Sequence, residues 1–180
     1  MQTLERANRH VADLHWVAFL LTGDRARSLD LTLEAVAAPD PGNSFFSTWM
    51  LAWSRRVFLS KALALVRDEL AESARRTASR RVGRAAVAPR NWTLDSGASK
   101  LQMESALLAI DSFPRCALVL SIFEGVALPD VATLLNSDPD LVRKARSIGL
   151  QELVRNLAGT RNRATRVTTR YAMTGEVQHA

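Results

Sequence analysis

The chain has 180 residues, 47% hydrophobic and 23% charged, with a net charge of +6 and an isoelectric point near 10.6. That composition supplies a packed core and excludes global disorder, and its basic balance favours a polyanionic partner, nucleic acid before an anionic membrane surface. The single cysteine, Cys116, excludes an internal disulfide and a cysteine-cluster zinc site. No apolar stretch reaches the roughly 20 residues that a membrane span requires, and the N-terminus lacks a signal-peptide arrangement. A soluble, cytoplasmic protein is expected.

Helical periodicity dominates from the start of the chain. Leu4, Ala7, Val11, Leu14, Ala18 and Leu21 share one face of a first helix over residues 3–21. Thr22-Gly23-Asp24 ends that helix and starts a second over residues 25–37. Two prolines and a glycine in Pro39-Asp40-Pro41-Gly42-Asn43 cannot continue it. Ser44 then opens a long helix through Phe46, Trp49, Trp53, Val57 and Leu63, predicted to reach about Ala74.

Composition changes over residues 75–99. Arg75, Arg76, Arg80, Arg81, Arg84 and Arg90 are separated mostly by small residues, with Trp92 isolated among them. This reads as a flexible basic linker. Helical spacing resumes at Leu101 to Ile110, followed by a turn at Phe113-Pro114 and a helix from Arg115 to Phe123.

Residues 124–157 carry the strongest local signal. Leu128, Val131, Ala132, Leu134 and Leu135 recur at helical spacing until Asn136-Ser137-Asp138 interrupts them. Asp138 can cap a following helix, and Pro139 suits its first turn, where the missing N–H costs nothing. On that second helix Arg143, Lys144, Ser147, Gln151 and Arg155 share one arc, with Arg146 at its edge. Leu141, Val142, Ala145, Ile148, Gly149, Leu153 and Leu157 lie opposite. The layout is that of a helix-turn-helix, whose second helix would bury one side and offer cations and amides to a DNA groove. It is equally the layout of a helix hairpin with a solvated basic face. Beyond Gly159 the polar sequence with Arg161, Arg163, Arg166 and Arg170 reads as a disordered basic tail.

The expected fold is all-α: two small helical domains, 1–74 and 101–158, joined by a flexible basic linker, 75–100, with the helix-turn-helix in the second and a tail at 159–180. The order of motifs resembles the extracytoplasmic-function type of bacterial RNA polymerase sigma factor. Leu20-Leu21-Thr22-Gly23-Asp24-Arg25, then Asp30-Leu31 and Glu34, is similar to the region 2 pattern LTGDRxxAxDLxQE. Phe46-x-x-Trp49 followed by Arg55-Arg56 is similar to the family's FxxWLxxIARN run. Glu124-Gly125 with Val131-Ala132-x-x-Leu135 is similar to the region 4 pattern EGLSxxEIAxxLG, and Val142-Arg143-Lys144 stands where the family has VKSRL. The chain departs from these patterns at Leu33, Val36, Arg56 and Ser60, as a divergent member would.

The resemblance implies a non-enzymatic initiation protein that binds core RNA polymerase and promoter DNA, under the possible control of an anti-sigma factor. Asp30 and Glu34 would face polymerase. Arg55, Arg56 and Lys61 would meet melted DNA, and Arg143, Lys144, Arg146, Ser147, Gln151 and Arg155 would meet duplex DNA. Trp49 and Trp53 share a face that suits either base stacking or core packing. No catalytic residue, metal site or cofactor is expected: His10 and His15 are five residues apart, off the spacing that aligns two helix ligands. The rival reading is a helical interaction protein that binds polymerase or a regulator without reading a promoter.

Overall fold

The computed structural model describes residues 2–37, 47–80 and 98–174, with side chains over 11–35, 54–80 and 98–159. Over these residues the chain is all-helical: α1 (Gln2–Thr22), α2 (Arg25–Ala37), α3 (Ser47–Ala64), α4 (Arg67–Ser79), α5 (Lys100–Leu108), α6 (Ser112–Leu118), α7 (Leu128–Leu134) and α8 (Pro139–Thr174). A π-helical turn, Val119–Phe123, extends α6.

The first boundary follows from local chemistry. Gly23 takes φ 72°, a left-handed conformation that costs glycine little, and donates its N–H to Phe19 O, closing α1. Asp24 then caps α2, its Oδ1 accepting from Ala26 N at 2.9 Å and Arg27 N at 3.1 Å.

The long helix predicted from Ser44 to Ala74 is interrupted. At Leu65-Val66 the ladder tightens, with Val66 N donating to Leu63 O, and Val66 leaves helical geometry at φ −120°, ψ 20°. A new helix, α4, runs through the predicted linker start to Ser79. The break predicted at 39–43, the rest of the linker from Arg81 through Trp92 to residue 97, and the side chains of Trp49 and Trp53 lie outside the described residues.

Phe113 and Pro114, predicted as a turn, instead form the buried first turn of α6. A buried helix start needs every N–H paired. Asp111 Oδ1 accepts from Ser112 N, Ser73 Oγ from α4 accepts from Phe113 N at 2.9 Å, and Pro114 has no N–H to satisfy. Ser121 Oγ bonds back to Ala117 O at 2.6 Å, inside the stretch where the ladder widens to Glu124 N→Val119 O.

The turn between α7 and α8 forms as the sequence predicts. Asn136 takes φ 47°, Ser137 N returns to Ala132 O, and Asp138 Oδ1 accepts from Asp140 N at 2.7 Å and Leu141 N at 3.3 Å. The backbone of α8 stays helical past Gly159 to Thr174, where composition suggested a disordered tail. Residues 175–180 lie outside the described residues.

Helices α1, α2 and α3 pack on one another, whereas α4 packs on α6 and α8. The structural boundary therefore falls at Leu65-Val66, ahead of the compositional one. The two groups meet where α1 crosses α5, α6 and the π turn. One continuous core runs from Leu14, Val17 and Leu21 through Phe113, Cys116 and Leu120 to Val131, Val142 and Leu153. The separate domains expected at 1–74 and 101–158 thus share a core, because the apolar faces of α1 and α6 cover each other. Helices α6 and α8 approach closely at Gly149, where an added Cβ would lie 2.7 Å from Pro114 O.

Candidate nucleic-acid interface

The inner face of α8 is buried as its periodicity dictates: Val142, Ala145, Ile148 and Leu153 are all core residues. This fixes which arc faces outward. Arg143 and Arg155 are exposed there; Ser147 and Gln151 are half-buried between them, and Arg146 is half-buried at the edge. Arg143 pairs with Asp140 one turn earlier, and Ser147 Oγ donates to Arg143 O at 3.0 Å. The acid is local, so the Arg143 guanidinium is held at the first turn of the helix and remains 59% exposed.

Lys144 has a different role from the one its position on the wheel suggests. Its Nζ donates to Ala78 O at 2.9 Å, so the ammonium satisfies a carbonyl at the C-terminal end of α4, where a cation also complements the helix dipole. Beside it Arg80 pairs with Glu152 at 2.8 Å. One flank of the arc is therefore bound to α4, and the other is open.

The α3 cations are more deeply engaged. Arg55 Nε donates to Glu124 Oε2 at 2.6 Å, and the Glu124 side chain is only 5% exposed. Arg56 reaches Asp130 of α7 at 3.3 Å with both side chains about half exposed. Lys61 pairs with Glu34 of α2. Around Arg56 and Lys61 the surface is concave, a depression of about 440 Å³ lined also by Val57, Ser60 and Ala64. Of the two acids expected to face polymerase, Asp30 is exposed on α2, while Glu34 is exposed but shared with Lys61.

Sequence reasoning missed the acids that hold these arginines. Glu104 accepts from Trp16 Nε1 at 3.0 Å and lies 3.7 Å from Arg25. Asp111 takes two bonds from Arg76, at 2.8 and 3.1 Å. Burial alone would raise the Asp111 carboxyl, but hydrogen bonds from Arg76, Ser73 and Ser112 N outweigh it and hold the group below the usual carboxylate range. Glu124 and Asp130 stand 69 and 74 residues from their partners, a separation with no local signal. Arg115 is buried, its Nη1 bonded to Leu108 O and Ile110 O at the end of α5.

His15 Nε2 lies 3.4 Å from Ser28 Oγ. Among the described residues no group of three or more His, Cys, Asp or Glu could hold a metal ion, and no helix is long and apolar enough to cross a membrane. No family model, curated protein or solved structure matches the chain.

Proposed function

We propose that this chain is a sigma-like transcription initiation protein that binds core RNA polymerase and directs it to promoter DNA through α8. The observation that carries the reading is the outward arc of α8: Arg143, Ser147, Gln151 and Arg155 lie on a helix introduced by a capped tight turn and seated on α6 at Gly149. A helix held this rigidly can present guanidinium and amide groups to base edges with little further loss of entropy. Arg or Gln bonded twice to a base contributes about 1–3 kcal/mol of discrimination. The exposed Asp30 would supply the acidic contact to polymerase, next to Glu34. No bond is made or broken by the protein in such a role.

Run-off transcription with core polymerase from the same organism tests the proposal. The chain should direct specific start sites. Arg143→Ala should shift preference at one or two upstream base positions. Arg155→Ala should weaken binding to all sequences alike and lower its salt dependence, as loss of a phosphate contact does. Asp30→Lys with Glu34→Lys should weaken capture of core polymerase while leaving helicity intact.

A second reading, the interaction protein that reads no promoter, is favoured by one observation: Arg55, Arg56, Lys61 and Lys144 all spend their charge on groups of this same chain. Polymerase binding without start-site selection, unaffected by Arg143→Ala, Ser147→Ala and Gln151→Ala, would establish it.

A further inference from the structure

The contact between the α1–α3 bundle and the α4–α8 unit has a consistent electrical polarity. Among the described residues three ion pairs cross it: Arg25–Glu104, Arg55–Glu124 and Arg56–Asp130. In each the cation comes from the first bundle and the acid from the second unit. Trp16 adds a neutral bond of the same sense, donating Nε1 to Glu104. The two units are joined covalently at one place, the Leu65-Val66 break, where helical geometry is already interrupted. The phosphates of a nucleic-acid strand are acids too, and they compete for the same arginines.

We infer that this seam is a latch: Glu124 and Asp130 occupy the α3 arginines in a closed state, and opening about Leu65-Val66 frees Arg55 and Arg56 for nucleic acid. The inference rests on the proposed DNA role of α3. It explains why Arg55 and Arg56, predicted to meet melted DNA, are engaged within the chain. It also assigns the acids a purpose beyond stability, since each substitutes for a phosphate until one arrives. A binding site that is open only part of the time binds more weakly by the fraction open, so weakening the latch raises affinity.

The molecule carries its own reporter of opening. Cys116, the single cysteine, is fully buried on α6 with Sγ 3.5 Å from Leu21 O of α1, across the seam. Burial pushes its thiol up to about 12, so in the closed state it is protonated as well as inaccessible. Labelling by a thiol reagent therefore requires opening, and its rate measures the latch independently of DNA.

The experiment compares the full chain with Glu124→Gln/Asp130→Asn and with Asp13→Asn/Asp140→Asn, which removes the same charge from exposed positions outside the three ion pairs. Asp130→Asn alone, at a half-exposed pair, guards against a folding defect from the buried Glu124 site. Circular dichroism checks helicity in all of them. The probe is a mixed-sequence single-stranded oligonucleotide at low salt. The expected result is faster Cys116 labelling in the seam variants than in the control, with affinity for the oligonucleotide raised roughly three- to tenfold over the control. Adding the oligonucleotide should also accelerate labelling of the unaltered chain. Equal labelling in seam and control variants overturns the latch, whatever the DNA result. Faster labelling with affinity no higher than the control's shows a seam that opens without gating α3, and also overturns it. Absence of oligonucleotide binding in every variant, with labelling still accelerated, removes the DNA role of α3 and the gate with it, while leaving the opening motion established.

Discussion

Helices α3 and α8 both carry closely spaced cations, Arg55, Arg56 and Lys61 on one and Arg143, Lys144, Arg146 and Arg155 on the other, yet the structure treats them differently. On α8 the outer arc keeps Arg143 and Arg155 exposed, Arg143 pairing within its own helix with Asp140, and the Lys144 flank is tied to the end of α4. On α3 Arg55 is paired with a carboxylate that is nearly out of solvent, while Arg56 and Lys61 hold exposed acids. Cationic spacing in a sequence therefore measures potential contact with a polyanion, and the tertiary partners set how much of that potential is available. The cost of disturbing either helix should differ accordingly.

One of the two largest effects is expected at the platform beneath the α8 arc. Gly149→Ala would drive a Cβ to within 2.7 Å of Pro114 O, a backbone atom that cannot rotate away. The gain of roughly 1 kcal/mol in helix propensity should be outweighed by overpacking, for a net loss of about 2 kcal/mol. A lowered urea midpoint would match. An unchanged midpoint would show that α6 and α8 cross less closely than described.

The two neighbouring arginines of α3 separate buried from exposed pairing. Arg55→Ala leaves Glu124 buried without its cation. Breaking a fully buried pair costs about 3–5 kcal/mol; Arg55 is 35% exposed, so about 2 kcal/mol is expected. Arg56→Ala, at a pair half in water, should cost under about 1 kcal/mol. Chemical denaturation of the two variants side by side checks this, and equal losses would erase the distinction drawn here.

Ser73→Ala should cost about 1–2 kcal/mol, because Phe113 N at the buried start of α6 loses its acceptor. Thermal unfolding reads this directly. The smallest effect is in acid. Asp111 sits below its ordinary value in the folded chain, so its contribution is fully present above the unfolded carboxylate value of about 3.9 and is lost as pH falls through the lower folded one. Asp111→Asn should flatten the stability profile in that acid window and leave its shape near neutrality unchanged. A profile that keeps its full acid slope would assign the slope to other carboxylates.

Helix identity and the polar breaks of the chain could be read directly from the sequence. The all-α character, the Gly23-Asp24 junction, the Asp138 cap with Pro139 behind it, and the buried face of α8 all follow from residues within one or two turns of each other. Helix periodicity and capping are short-range physics, and a single sequence carries them. The interruption at Leu65-Val66 has no proline or glycine to announce it. The helical Phe113-Pro114 depends on Ser73, a residue of another helix, to satisfy a buried N–H.

What only the tertiary structure decided is which charges remain available. In the sequence nothing marks the partners of Glu104, Asp111, Glu124 and Asp130. Each becomes a specific partner because packing of α1 on α6, and of α4 on α6 and α8, brings distant segments together. The same packing merges the two predicted domains into one core. An ion pair depends on distance and burial, neither of which is a property of spacing along the chain. The outward arc of α8 was therefore legible in advance, and the engagement of α3 was not.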